Sequence, residues 1–230
     1  MTESLALIGL GRMGTQIAKK LPPIKNLVFA DSYISKEFQL LAQSKAARFS
    51  ILPEDTRGAD TIILALNPDQ TDEVVEYLCK NVYHPCLIIN VSTGKNIEKV
   101  PSNFTVANLK IIGEANELNE KECAYVVIPS QLKETAGPLI EKLFQDFAMP
   151  LYGNTADYST INRVVAAITV TAILKIRDTL TEMGFDKKIT GVAIRGVMAG
   201  TCKGFPWSAD DHFINSVFQS LAISPADMNG

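Results

Sequence analysis

Gly9-Leu10-Gly11-Arg12-Met13-Gly14 closes a short apolar run at 4–8 (SLALI) and opens a stretch with helical spacing. A glycine cluster set between a strand and a helix has a physical use at each glycine. Gly9 allows the tight turn, Gly11 lets a pyrophosphate approach the backbone, and Gly14 lets helix and strand pack closely. The N–H groups at the start of the helix then face the phosphates. In the helix at 12–21, Met13, Ile17 and Leu21 share one face, and Pro22-Pro23 stop it because proline cannot continue the hydrogen-bond ladder. A second strand at 26–30 (NLVFA) ends at Asp31, about 20 residues on from the first glycine. A carboxylate there accepts hydrogen bonds from the ribose hydroxyls of a dinucleotide.

The alternation continues along the chain. A helix is expected at 34–46, a strand at 61–66 (TIILAL), and a helix at 71–79 whose acidic first turn suits the positive end of its dipole. Strands follow at 87–91, 104–109 and 124–128, then a helix at 133–147 and a strand at 150–152. Strands separated by helices imply right-handed crossovers, hence an α/β chain with an N-terminal Rossmann domain, a doubly wound parallel sheet, over 1–153. Ligands of such sheets sit beyond the carboxyl ends of the strands. Asn67, Ser92 and Thr93 fall in the loops there and are expected to line the nicotinamide half of a cofactor; turn formation and capping are their alternative roles. Asp31 favours NAD over NADP, because the extra phosphate would meet a like charge, while Ser32 and Lys36 nearby soften that preference. The expected cofactor is NAD or NADP, with NAD slightly preferred.

Composition narrows the rest. Apolar residues make up 47% and charged residues 20% of the 230 residues, which excludes wholesale disorder, a collagen-like chain and a disulfide-stapled miniature. No apolar run reaches the ~18 residues of a membrane span, and the start lacks a basic region before an apolar one. The net charge of −3 argues against a nucleic-acid partner. The four cysteines lack CxxC spacing and read as reduced, buried thiols of a cytoplasmic protein. Two histidines far apart, with no Cys/His cluster, give no metal site.

After residue 153 the strand signals stop. The segment 160–183 reads as one long helix, apolar nearly all round for its first two-thirds, and such a helix must be covered on every side. The expected covering is a second copy, making 154–230 a small all-α dimerisation domain of a homodimer. A further helix at 187–203 carries Gly196 and Gly200, with Gly204 beyond it, a stripe expected to permit close helix approach. A cap at 208–211 opens a last helix through Leu221.

This order of parts resembles the pyrroline-5-carboxylate reductase family and, more distantly, the 6-phosphogluconate and 3-hydroxyisobutyrate dehydrogenases and small F420-dependent NADP oxidoreductase-like proteins. The resemblance spans about 4–204. Its strongest local matches are Gly9 to Gly14, the segment 64–70 (LALNPDQ) and the segment 90–94, with 106–108 and Gly113-Glu114 standing where the reductases place Pro-Asn-Thr-Pro and Gly-Glu. It implies a cofactor that delivers hydride to a cyclic imine held between the Rossmann domain and the helices of the dimer. The chain also departs from the pattern. Residues 166–171 (AAITVT) replace the reductases' Ser-Gly-Ser-Gly-Pro-Ala, and Gly196 stands where they have a threonine. The hydroxyacid dehydrogenases' lysine, followed by an asparagine one turn later, is not reproduced by Lys175. Neither family's catalytic set carries over.

Candidates for a proton donor or substrate anchor are therefore read from the residues themselves: Asn108, Arg163, Thr169, Thr171 and Lys175. Arg163 suits a carboxylate clamp or an intersubunit salt bridge. The threonines are also suited to bonding back to their own helix. Lys175 and Arg177, with Asp178 and Glu182, read as a solvated i, i+4 face. His84, before Pro85, and His212, beside Asp210, Asp211 and Trp207, are not expected to act. The sequence thus supports an NAD(P)-dependent oxidoreductase of a small carbonyl or imine, with a non-catalytic dinucleotide-binding or scaffold protein as the alternative. F420 exchanging hydride with NADP is a third reading, disfavoured by Asp31.

Overall fold

The computed structural model describes residues 3–33, 35–51, 53–92, 94–113, 115, 124–203, 205 and 212–221, the last set without the side chains of 212 and 213. Thr93 and the expected cap at 208–211 lie outside them. The chain divides into two compact units, Met1–Arg163 and Val164–Gly230.

In the first unit, six parallel strands stand in the order β3-β2-β1-β4-β5-β6. They are β1 (Ser4–Ile8), β2 (Asn26–Ala30), β3 (Arg48–Ser50), β4 (Thr61–Leu64), β5 (Cys86–Asn90) and β6 (Phe104–Asn108). Their sequences are apolar on both sides because both faces are covered. Leu5, Leu7, Phe29, Ile63, Ile89 and Ala107 join one buried cluster with Ile17 of helix α1 (Arg12–Lys20). Their alternating neighbours Ala6, Ile8, Val28, Ile62, Leu64 and Ile88 join another with Leu78 of α3 (Pro68–Asn81). Period-2 alternation with apolar residues on both faces is what a sheet wrapped by helices demands. Helix α2 (Lys36–Ser44) is capped by Ser35, whose Oγ accepts the Phe38 N–H at 3.1 Å.

A second, three-stranded sheet follows: β7 (Lys110–Ile112), β8 (Tyr125–Pro129) and β9 (Met149–Gly153), with β7 antiparallel to β8 and β8 parallel to β9. The expected single parallel sheet is therefore corrected at this end. Strands β3 and β7, three residues each, are too short for a periodicity to show. Helix α4 (Gly137–Phe144) is shorter than expected at both ends, its N-terminus set by Pro138 in the first turn. Helix α3, by contrast, begins earlier than expected, because Pro68 fits a first helical turn. A short helix α5 (Thr155–Tyr158), capped by Asn154 Oδ1, precedes α6 (Ile161–Glu182).

In the second unit, α6 exposes Val164, Val165, Ile168, Val170 and Leu174. The helical run Thr155–Glu182 holds an eighteen-residue window of mean hydropathy 1.4, long and apolar enough to cross a membrane by length and composition. It qualifies on an average, and not as the unbroken apolar run that the sequence is expected to lack. Arg163 and Lys175 interrupt the run, but an eighteen-residue average absorbs them. The glycine-bearing segment is not one regular helix: α7 (Lys187–Ala193) passes through a π turn, Ile194–Met198, into α8 (Ala199–Lys203). Within the chain, a Cβ added at Gly196 or Gly200 would meet nothing within 4 Å, and Gly204 lies outside the described residues. Lys175, Arg177, Asp178 and Glu182 are exposed, as a solvated face requires, and an ion pair joins two neighbours, Arg177 Nε donating to Asp178 Oδ1 at 2.8 Å. Helix α9 (His212–Ser220) ends the described chain. Cys202 is exposed, not buried as expected, while Cys86 is buried and Cys79 half-buried.

Candidate functional site

The glycine turn has the geometry its sequence calls for. Gly9 takes φ +94°, a left-handed value that disfavours side chains, and a Cβ there would lie 2.5 Å from the Ala65 carbonyl oxygen. A Cβ on Gly14 would lie 1.9 Å from the Gly9 carbonyl oxygen, so strand and helix could not approach. Gly11 is different: a Cβ would meet nothing within 4 Å, which leaves open space over the N-cap of α1. No side chain caps that helix. An open cradle above an uncapped helix start is where phosphate oxygens find N–H donors. Leu10 is buried, Met13 is half-buried against the core, and Arg12 is exposed.

Asp31 lies against this turn. Its Oδ2 accepts the Leu10 N–H at 2.5 Å and its Oδ1 accepts the Tyr33 N–H at 3.0 Å. The carboxylate thus braces the loop. An ionised carboxylate offers about four acceptor positions, so two remain for hydroxyls. Ser32 is exposed beside it.

Across the carboxyl edge of the sheet, Asn67 is the N-cap of α3 and makes no capping bond with its side chain, leaving an exposed amide. Ser92 is buried, and its hydroxyl shares a 2.9 Å hydrogen bond with that of Thr71, which also donates to the Asn67 carbonyl at 2.9 Å. Ser92 is therefore part of the loop's support, and its hydroxyl does not line an open site. Asn108, half-buried, is likewise largely taken up by the fold. Its Oδ1 accepts from Asn90 Nδ2 and from the Ile97 N–H, each at 2.8 Å, and its Nδ2 donates to the Ile97 carbonyl at 2.9 Å. The residue read as a candidate donor is a clamp. Asn90, ending β5, and Thr71, in the first turns of α3, were missed by the sequence reading, since a single polar residue carries no periodic signal.

Lys110 was missed too. It is half-buried on β7, two residues past Asn108, and burial lowers its ammonium pKa below the ordinary lysine value. Arg163 is exposed and follows Asn162, which ties the start of α6 to β7: its Nδ2 donates to the Ile111 carbonyl at 2.8 Å and its Oδ1 accepts the Gly113 N–H at 3.4 Å. In the second unit, Thr169 is half-buried, and exposed Thr171 donates its hydroxyl to the Ala167 carbonyl at 2.9 Å, the usual fate of a helical threonine. His84 is held between carbonyls at the amino ends of the strands, and among the described residues no group of three or more His, Cys, Asp or Glu is placed to hold a metal.

Residues 4–108 match the NAD binding domain of 6-phosphogluconate dehydrogenase. With a TM-score of 0.63, the chain is similar to 1-pyrroline-5-carboxylate reductase from Streptococcus pyogenes, at 15% identity over 96% of this chain and 85% of that one. Its fold is that of the pyrroline-5-carboxylate reductase-like proteins. Pyrroline carboxylate reductase from Plasmodium falciparum, with NADP bound, is similar at a TM-score of 0.61 and 16% identity, covering 97% of this chain and 85% of that one. An imine reductase variant from Myxococcus stipitatus, in complex with NAD+, is similar at 0.58 and 15% identity, covering 96% and 86%. No curated protein matches in sequence. In this pyrroline-5-carboxylate reductase-like fold, the open cradle at Gly11 and the braced Asp31 are suited to a nicotinamide dinucleotide.

Proposed function

We propose that the chain is an NAD(P)-dependent oxidoreductase that transfers hydride to or from a small carbonyl or imine, acting in the cytoplasm as a homodimer. The observation that carries this reading is the glycine turn: Gly9 and Gly14 are closed by backbone while Gly11 is open over an uncapped helix start. A bound nicotinamide supplies or accepts the hydride, so the chain's own task is to bind, orient and exclude water. The N–H groups opening α1 hold the pyrophosphate, Asp31 holds the adenosine ribose, and Asn67 reaches toward the other half. Asp31 places a negative charge where NADP carries its extra phosphate, which favours NAD. The apolar face of α6 is the surface the second copy covers.

Thr171 spends its hydroxyl, and Asn108 most of its amide, on their own fold, and this favours a second reading in which the dinucleotide is bound without turnover. Nicotinamide fluorescence titration with NADH and NADPH, followed by assays with pyrroline-5-carboxylate and with 2-oxo and hydroxy acids, separates the two. Binding with turnover on one of these substrates supports the enzyme. Tight binding with no turnover supports the second reading, and no binding sinks both.

A further inference from the structure

The carboxyl ends of β5 and β6 carry a paired set of side-chain amides. Asn90 and Asn108 are register partners, the last residues of adjacent parallel strands. Asn108 makes a two-way amide pair with the Ile97 backbone, donating to its carbonyl at 2.9 Å and accepting its N–H at 2.8 Å. Asn90 donates to Asn108 Oδ1 at 2.8 Å and to the Lys95 carbonyl at 2.9 Å, and its Oδ1 accepts the Ser92 N–H at 3.0 Å. The Ser92 hydroxyl passes the connection to Thr71 and so to the carbonyl of Asn67 at the head of α3. Ser92, Lys95 and Ile97 lie in no helix or strand, so two asparagines supply the hydrogen bonds that regular structure would otherwise provide.

The position of this network relative to the sheet gives it a meaning beyond stability. Strand order puts β2, with Asp31, on one side of β1 and β4, β5 and β6 on the other. A dinucleotide whose pyrophosphate sits at the end of β1 therefore lays its adenosine toward β2 and its nicotinamide toward β4 to β6. The asparagine network touches only the second side.

We propose that Asn108, held by Asn90, is a positioning residue for the nicotinamide half of the dinucleotide, fixing the backbone at Ser92, Lys95 and Ile97 against which that half rests. This assignment rests on the dinucleotide reading above. It predicts an effect confined to one half of the ligand, which a general loss of stability would not give. Removing the amide strands the Ile97 N–H and carbonyl, and the loop loses its set geometry.

The test compares the full chain with its Asn108→Ala and Asn108→Asp variants. Binding of NADH or NADPH, whichever the wild type binds more tightly, is read by fluorescence, and binding of ADP-ribose by calorimetry. Asn108→Ala is expected to weaken the nicotinamide dinucleotide about tenfold while ADP-ribose stays within about twofold. Asn108→Asp keeps both acceptor contacts but sets a carboxylate oxygen against the Ile97 carbonyl, and is expected to show a loss in the same direction, again confined to the nicotinamide dinucleotide; it serves also if the alanine variant does not fold. Equal losses for both ligands, or no loss for either, overturn the assignment while leaving the dinucleotide reading standing. A wild type that binds neither ligand overturns both.

Discussion

Gly11 and Gly14 are both glycines of one turn, yet the structure asks different things of them. At Gly14 a single methyl group would sit 1.9 Å from a carbonyl oxygen of the backbone, which cannot step aside. Gly14→Ala is expected to cost about 3 kcal/mol in chemical unfolding. At Gly11, φ is −63° and the space is empty, so Gly11→Ala is expected to change stability by less than about 0.5 kcal/mol while weakening NADH binding in a fluorescence titration. Equal destabilisation by the two would contradict the cradle. The cysteines separate in the same way. Burial, with Asp60 adding to it, pushes the Cys86 thiol up to about 12, and its Sγ donates to the Ala59 carbonyl, whereas Cys202 is exposed. A thiol-specific disulfide reagent followed by peptide mass spectrometry is expected to modify Cys202 in the native protein and Cys86 only after unfolding.

Between elements, the turn from α3 into β5 is tied down by His84. Its Nε2 lies 2.8 Å from the Arg57 carbonyl and its Nδ1 3.0 Å from the Pro85 carbonyl. Both partners accept only, so the doubly protonated ring satisfies both at once. The hydrogen bond to Arg57, then that to Pro85, raises the His84 pKa above the ordinary 6.5, with Asp60 adding to the shift. A folded pKa above the unfolded one gives a stabilisation that is complete below about pH 6.5 and fades as pH rises through the folded value. His84→Ala is expected to flatten the dependence of melting temperature on pH from 6.5 upward; an unchanged slope would remove His84 as its source. The effect is small because the site is partly open to water. None of this was legible beforehand. The sequence places His84 in a turn before a proline, but the Arg57 carbonyl comes from a distant part of the chain.

At the scale of the molecule, α6 presents Val165 and Ile168 to solvent along a helix without a buried residue. If a second copy covers this surface, Val165→Glu with Ile168→Glu is expected to turn a sedimenting dimer into a monomer. A wild type that is monomeric at micromolar concentration, or that partitions onto lipid vesicles, removes the dimer. Exposed apolar surface of this extent is a signature of association, and it reads from sequence as well as from structure. The apolar pattern at 160–183 and the helix Ile161–Glu182 agree closely because a helix of that length needs no distant contact to be recognised.

The sequence by itself determined the Rossmann order of strands and helices, the glycine turn with Asp31, and the long apolar helix. Each of these is written in local spacing: period 2 with both faces apolar, period 3.6, or glycines at fixed offsets. Only the tertiary structure decided which polar side chains are available for chemistry. Asn108 and Ser92 read in sequence as groups facing a ligand, and folding gives them partners at Ile97 and Thr71, while Thr171 bonds back to Ala167 as a helical threonine was expected to. A polar side chain is committed or free according to what the fold brings within 3 Å of it, and for Asn108 and Ser92 those neighbours come from elsewhere in the chain.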